Sequence, residues 1–305
     1  MLSPSSEYPS VLAVAGPTAS GKTALAVELA RAVDGEVVNA DALQVYRELR
    51  VLTARPTRGE RGEVPHHLFG HVAAGVRYSV GDWLRDAVPV LEDMRARGKR
   101  AVLVGGTGLY FQALFRGLAE VPEVPDDVRA LVAGMEPDEL EMHARALDPD
   151  AHSRLQGHDP QRLTRIVEVA LGTGTPLSEW QGKTVPVIRD WAGVVVEPDR
   201  EALYSRIDTR FDAMMEHGAL DEAQKVSHLA RDLPALKAIG VSHLLRHLDG
   251  ELEREEAIEL AKRDSRRLAK RQGTWFRGQA GDWPRVSMGA DADDVLAAMC
   301  ASTPA

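Results

Sequence analysis

Gly16-Pro17-Thr18-Ala19-Ser20-Gly21-Lys22-Thr23 satisfies the phosphate-loop pattern G-x-x-x-x-G-K-[ST] at every fixed position. Before it, Val11-Leu12-Ala13-Val14-Ala15 is an unbroken apolar run of the kind that forms a buried parallel strand. After it, Ala24 to Val33 is rich in Ala, Leu and Glu and reads as a helix ending near Gly35. In such a strand–loop–helix unit the glycines let the backbone wrap an anion with several N–H groups pointing inward. The helix N-terminus adds partial positive charge, and Lys22 adds a whole one. Thr23 supplies a hydroxyl suited to a magnesium ion. The stretch predicts an α/β protein, a parallel sheet flanked by helices, that binds a phosphorylated ligand.

Working outward, Glu36-Val37-Val38-Asn39-Ala40-Asp41 reads as a second strand ending in an acid. Ligands of open parallel sheets bind at the carboxyl ends of strands, which aims Asp41 at the phosphate site; capping the next turn is the other role open to it. A third buried strand, Ala101-Val102-Leu103-Val104, ends in Gly105-Gly106-Thr107-Gly108. ATP-hydrolysing phosphate-loop proteins place an Asp near such a strand end to hold magnesium. Two glycines and a threonine suit close binding of phosphates better than positioning a water.

The chain has 305 residues, 44% hydrophobic and 27% charged, enough for one large α/β domain with an insertion. No run approaches the roughly 18 apolar residues that span a membrane. Met1 to Pro9 lacks a basic segment followed by an apolar one, so a cytoplasmic protein is expected. Cys300 is the single cysteine, which excludes an internal disulfide. Net charge is −9, yet Lys262, Arg263, Arg266, Arg267, Lys270, Arg271 and Arg277 cluster around one acid, Asp264. Such a stretch is a solvated helix face or a patch for a polyanion.

Arg47 to Gly75 reads as an irregular, substrate-lining loop. Its His66-His67 pair suits a structural or substrate-contact role, because adjacent side chains rarely share one ion. Pro122, Pro125 and neighbouring acids mark a boundary at Val121, and the segment to Gly182 reads only as short helices. A helical insertion over 121–189 is therefore expected within a core formed by 1–120 and 190–305. Gly193–Val196 returns to strand pattern. Helices follow at Asp199–His217, Leu220–Arg231, Leu236–His247 and Arg254–Trp275, the first carrying Arg206 and Arg210 on one face. At the end of the last, Trp275 and Phe276 stand among basic residues, where they either stack on bases or dock on the core.

The ordered set of motifs resembles the tRNA dimethylallyltransferases. The matching pieces are the phosphate loop, Asp-Ala-Leu-Gln-Val-Tyr at 41–46, Val-Pro-His-His-Leu at 64–68 and Gly-Gly-Thr-Gly-Leu-Tyr at 105–110. They continue with Asp-Pro-Gln-Arg-Leu at 159–163, Ala-Ile-Gly at 238–240, Ala-Lys-Arg-Gln at 269–272 and Thr-Trp-Phe-Arg at 274–277. The resemblance implies transfer of a five-carbon prenyl group from dimethylallyl diphosphate to the exocyclic amine of adenosine 37, in tRNAs reading codons that begin with U. It implies that Gly16 to Thr23 grip the diphosphate and that Asp41 is the general base. Lys22, Thr23 and Arg210, with magnesium on Thr23, would neutralise the leaving group, and Thr107 would orient the acceptor.

The same resemblance assigns tRNA contact to Asp41, Ala42, Leu43, Gln44, Thr107 and Arg129. It adds Gln161, Arg162, Leu163, Thr164 and Arg165 in the insertion, which would grip the anticodon stem-loop. Lys237, Ala238, Ile239, Gly240, Val241 and Ser242 follow, then Lys270, Arg271, Gln272, Gly273, Thr274, Trp275, Phe276 and Arg277. The expected partners are tRNA and dimethylallyl diphosphate, with no membrane, for a monomeric enzyme. Ala42, Arg55, Val241 and Gly273 depart from the family pattern; Arg55 bears on diphosphate contact and Val241 on tRNA. The competing readings are a prenyltransferase of free adenine nucleotides, a small-molecule kinase, and a nucleotide-switched RNA-binding protein. A mononucleotide acceptor leaves the insertion and the basic stretch without a purpose, and the Gly-Gly-Thr strand end opposes a kinase.

Overall fold

The first strand, β1 (Val11–Ala15), is buried along its whole length, as an apolar run with neighbours on both sides must be. The structure is a computed structural model that describes residues 8–155, 157, 159–182 and 184–301. Residues 1–7, part of the stretch read for a leader, lie outside the described residues. After β1 come α1 (Lys22–Ala32), β2 (Gly35–Asn39), α2 (Arg58–Arg61), β3 (His66–His67), α3 (Val80–Ala96), β4 (Arg100–Gly105) and α4 (Gly108–Arg116). The helices α5 (Asp126–Ala133), α6 (Pro137–Leu147), α7 (Pro149–Ser153), α8 (Pro160–Thr173) and α9 (Leu177–Gln181) follow. The chain then continues through β5 (Trp191–Val196), α10 (Arg200–Glu216), α11 (Ala219–Lys225), α12 (Val241–Leu248), α13 (Arg254–Gln279), β6 (Arg285–Val286) and α14 (Ala292–Ala301).

The six strands form one sheet in the order β3-β2-β4-β1-β5-β6, every neighbouring pair parallel. Ala15 lies opposite Gly105 and Val195, and Asn39 lies opposite Val104. The carboxyl ends of β1, β2 and β4 are therefore level. The three segments that leave them, the phosphate loop, the Asp41 turn and Gly105–Thr107, share one edge of the sheet. This edge is the topological switch point, with β4 on one side of β1 and β5 on the other.

The sheet packs Leu12, Val14, Val102, Val104 and Val194 against Leu25 and Leu29 of α1 and against Val295, Leu296 and Met299 of α14. A second core joins Tyr46, Leu49 and Leu52 to Phe211, Met214, Val241, Leu244, Leu245 and Ala261, drawn from α10, α12 and α13. At the start of β2, buried Glu36 accepts from Arg97 at 2.5 and 2.9 Å and meets His67 Nε2 at 2.7 Å. The Arg97 bonds hold its carboxyl at about 2 against the cost of burial. His67 is thus a structural partner, and His66 bonds Val64 O at 2.8 Å through Nδ1.

Several elements differ from expectation. His66–His67 is an edge strand, and β6 and α14 were not predicted: two-residue strands carry no periodicity to read. The expected Leu220–Arg231 helix stops at Lys225. The expected Leu236–His247 helix is a 3-10 turn at Pro234–Lys237, then α12, whose N-cap is Gly240 at φ 90. Gly273 lies inside α13 without interrupting it, and that helix runs four residues beyond Trp275, to Gln279.

The chain divides into two compact units, Met1–Gln112 with Ile188–Ala305, and Ala113–Val187. The second begins earlier than the expected 121 because Val187 N–H bonds to Leu114 O at 2.9 Å, which pairs the departing and returning chain. Its own core is Val132, Leu140, Ala144, Ala151, Leu163, Ile166 and Val167, and its described residues contain helices and no strand.

Candidate active site

The phosphate loop takes its shape from backbone conformations that side chains resist. Gly21 sits at φ 86 as the N-cap of α1, where glycine carries no steric penalty. Ala19 is held at φ 65, a left-handed conformation costly for a residue with a Cβ. Lys22, the first residue of α1, is buried, and its Nζ donates to Pro17 O at 3.1 Å. Across the loop, α10 presents Arg206, whose Nε donates to Ala19 O at 3.2 Å, and Arg210, which donates to the Thr18 hydroxyl. Burial lowers Lys22 to about 8, with the Asp41 charge opposing and Arg210 reinforcing the shift. Burial likewise lowers Arg210 to about 10, helped by Arg206 and opposed by Asp41. Cations this crowded favour an anion among them, because its charge offsets their repulsion and desolvation.

Asp41 is held by its own turn. Asn39, fully buried at the end of β2, accepts from Asp41 N at 2.9 Å. Its Nδ2 donates to Asp41 O and to Leu68 O, both at 3.0 Å. Asp41 Oδ1 accepts from Leu43 N at 3.0 Å, and Thr107 Oγ1 accepts from Ala42 N at 2.9 Å. Gly105 permits the approach of this turn: a Cβ there would lie 1.9 Å from Ala40 O. From the other side, Gln272 of α13 accepts from Thr18 N at 2.8 Å and donates to Gly106 O at 3.0 Å. It joins the phosphate loop to the Gly-Gly-Thr turn.

Asp41, Thr18, Arg210 and Gln272 line one cavity, whose remaining wall is largely apolar: Leu43, Leu52, Ile207, Phe211, Met214, Ile239 and Leu268, with Thr53 and Ser265. An anion-binding end, a carboxylate and an apolar wall thus face one space. That combination accommodates a ligand with a charged diphosphate head and a small hydrocarbon tail.

Two protein-family profiles match the chain: one described as IPP transferase over residues 44–279, and one described as isopentenyl transferase over residues 9–64. The tRNA dimethylallyltransferase of Maricaulis maris is 51% identical over 296 residues, covering 94% of this chain and 96% of that protein. That of Azorhizobium caulinodans is 50% identical over 288 residues, covering 91% and 92%. The chain belongs to the tRNA dimethylallyltransferase family. Among solved structures, the full-length tRNA isopentenylpyrophosphate transferase of Bacillus halodurans is 34% identical with a TM-score of 0.67, covering 95% of this chain and 94% of that one. A eukaryotic dimethylallyltransferase solved acting on tRNA is 28% identical with a TM-score of 0.79, covering 91% and 73%.

Against the family's expected contacts, the structure sorts the residues by what their side chains do. Ala238, Val241 and Phe276 are buried, as is Leu163 within the helical unit, so these side chains serve packing. Ile239 lines the cavity, while Lys237 and Ser242 are exposed. The amide of Gln44 donates to Thr53 O at 3.0 Å and Ala54 O at 3.3 Å, bracing the cavity wall. Trp275 packs over the backbone of Gly108, where a Cβ would come within 2.2 Å of its ring, so it docks on its own unit. Arg55 does not reach the phosphate loop: its guanidinium donates to Tyr46 O at 3.2 Å and Arg47 O at 3.3 Å.

The basic stretch is less free than its sequence implied. Lys262 pairs with Asp212 at 2.7 Å, Arg266 with Asp208, Arg277 with Glu197 at 2.7 Å and Arg267 with Asp264 at 3.2 Å. Among the described residues, Lys270 and Arg271 are exposed without an ion pair, and Thr274 is exposed beside them. In the helical unit, Gln161, Arg162 and Arg165 are exposed on α8 with Thr164 partly covered; partial burial lowers the Arg165 pKa, Glu168 opposes the shift, and Arg129 of α5 adds a smaller lowering. Sequence reasoning missed Asn39 as the anchor of Asp41 and Gln272 as a bridge within the site. An Asn two residues before a strand-end Asp was the one local signal available for the first.

Proposed function

We propose that this chain transfers the dimethylallyl group of dimethylallyl diphosphate to the N6 amine of adenosine 37 in tRNAs reading codons that begin with U. The observation that carries this reading is the cavity in which Asp41, the phosphate loop and Arg210 face one apolar wall. The diphosphate lies on the amides of Gly16 to Thr23, with Lys22 and Arg210 opposite its charge. The five-carbon tail lies along Leu43, Leu52, Phe211 and Met214. An exocyclic adenine amine is a weak nucleophile, its lone pair delocalised into the ring. Asp41 takes an N6 proton as the C1–N6 bond forms, the C1–O bond breaks, and the electron pair leaves on diphosphate. Thr107, holding the Ala42 amide, keeps the base turn in place.

Magnesium fits this donor set. Among the described residues no three His, Cys, Asp or Glu side chains converge as a metal cage. Mg²⁺ bound through substrate phosphates needs only one or two protein oxygens, and Thr23 at the start of α1 supplies one. When bound, the ion would supply added charge neutralisation on the diphosphate.

The acceptor base must leave its stack to reach a cavity at this depth. The RNA is an anticodon stem-loop contacted by Lys270 and Arg271 and, on the helical unit, by Arg129, Gln161, Arg162 and Arg165. No described helix is long and apolar enough to cross a membrane, and a monomer working in the cytoplasm is the setting we infer. The test is incubation with magnesium, dimethylallyl diphosphate and unmodified tRNA, with AMP as a rival acceptor, followed by nucleoside mass spectrometry. One prenyl group gained on adenosine from tRNA, with AMP untouched, is the expected result. Prenylated AMP, or no product, would overturn it.

A further inference from the structure

Glu222 lies in the first turn of α11, buried, and outside every motif of the site. Its Oε1 accepts from Arg50 N at 2.9 Å and Val51 N at 2.8 Å. Its Oε2 accepts from Val51 N at 2.8 Å and Leu52 N at 3.0 Å. Three consecutive backbone amides thus converge on one carboxylate, the arrangement by which a turn binds an anion. Here the anion is a side chain of the protein itself.

The turn so held is part of the cavity. Leu52 and Thr53 line it beside Asp41 and Leu43. No sheet ladder supports residues 50–55. Their other bonds stay within the loop: Ala54 N to Val51 O at 2.9 Å, Arg55 N to Arg50 O at 3.0 Å, the Thr53 hydroxyl to Leu49 O, the Arg55 guanidinium to Tyr46 O and Arg47 O, and the Gln44 amide to Thr53 O and Ala54 O. Ile207, Arg210, Phe211 and Met214 line the same cavity from α10, the helix directly before α11, and Leu52 packs in one core with Phe211 and Met214. One buried carboxylate therefore ties the 50–52 turn to the helix that follows α10.

We propose that Glu222 is a positioning residue for the prenyl donor: by clasping the 50–52 amides it fixes Leu52 and Thr53 in place against the part of the cavity lining that α10 supplies. The inference rests on the transferase reading above. Removing the carboxylate leaves three amides without acceptors, one of them at buried Leu52, so the turn must move to rehydrate them. A cavity whose wall shifts holds its small apolar ligand less well, while RNA contacts on exposed faces are untouched.

Glu222→Gln and Glu222→Asp would be compared with Glu222→Ala and with Leu245→Ala, a destabilising control in the same core. Steady-state kinetics with each substrate varied, hydrogen exchange over residues 48–54 and thermal melts would be read together. For Glu222→Ala the KM for dimethylallyl diphosphate should rise about tenfold or more with the KM for tRNA unchanged, consistent with losing acceptors for buried amides. Amides 50–52 should lose protection. Glu222→Gln, which keeps one acceptor oxygen, should recover part of both, and Leu245→Ala should lower the melting temperature with donor KM unchanged. If Glu222→Ala fails to fold, the Gln variant carries the test by the same split. Donor KM equal to wild type in the folded variants, or donor and tRNA KM rising together, would overturn the proposal. Wild-type protein that prenylates nothing would instead refute the transferase reading, independently of Glu222.

Discussion

Gln272 and Thr18 meet across the site: the side-chain oxygen of Gln272 accepts from the backbone N–H of Thr18 at 2.8 Å, while its amide nitrogen donates to Gly106 O at 3.0 Å. One amide on α13 therefore fixes the tip of the phosphate loop against the turn that ends β4. Only a group that both accepts and donates can make this bridge. Gln272→Glu keeps the shape, loses the donor to Gly106 and sets a negative charge beside the diphosphate. Its donor KM should rise about tenfold or more, from like-charge repulsion in a partly buried site. Steady-state kinetics with donor varied at saturating tRNA would check this, and the rise should shrink at high salt.

Asp41→Asn preserves the turn, because the Leu43 N–H can still bond to the side-chain oxygen. It removes the base. Turnover should fall by about 10² or more with little change in binding of donor or tRNA, in line with typical general-base contributions. Single-turnover rates beside equilibrium tRNA binding would separate the two. Asn39→Ala, which leaves Asp41 intact and unmoors its backbone, should lower turnover in the same direction by less.

Lys22 gives a pH dependence with a definite sign. Its ammonium is lowered from 10.5 to about 8 by burial, so the folded protein without ligand binds fewer protons than the unfolded chain between those values. Stability of the ligand-free protein should therefore rise as pH increases through that window. Diphosphate favours the charged ammonium, so its affinity should fall as pH rises past about 8, and binding near pH 8 to 9 should take up a proton. Calorimetry of inorganic diphosphate in buffers of differing ionisation enthalpy reads the proton directly. Lys22→Met should abolish the uptake.

Among the described residues, Arg271 and Lys270 are the cations without an ion pair in a stretch whose other charges are largely answered by acids of α10, of α13 itself and of the turn after β5. Arg271→Glu should weaken tRNA binding and flatten its dependence on log salt by about one contact's worth or more. Arg267→Glu, altering a residue already paired with Asp264, should do less. Filter binding across a salt series distinguishes them.

The parts of this site that sequence made legible are those fixed within a few residues. The phosphate loop, its flanking strand and helix, the acid after β2 and the glycines after β4 announce themselves by local pattern. What local pattern did not show depends on partners far apart: Gln272 lies 254 positions from Thr18, and Arg210, brought to the site in sequence only by the family resemblance, lies 192 from it. No periodicity records which glutamine will reach a loop amide. The basic stretch shows the same limit in reverse, since Asp208, Asp212 and Glu197 neutralise charges that looked free along the chain. Likewise Val241, read as an RNA contact by its place in a motif, is a core side chain once α12 is turned onto α13. Arg55 is drawn away to the carbonyls of Tyr46 and Arg47 by the curl of its own loop.

A crystal structure with the unreactive thiolo analogue of dimethylallyl diphosphate, in which sulfur replaces the bridging oxygen, would show directly where the donor binds. The diphosphate should lie on the amides of residues 16–23 with Arg210 beside it, and the prenyl tail against Leu43, Leu52 and Phe211 with its C1 on the Asp41 side. A tail seated instead behind Pro17, in the second cavity lined by Leu203, Tyr204 and Phe276, would contradict it and remove Asp41 from the reaction.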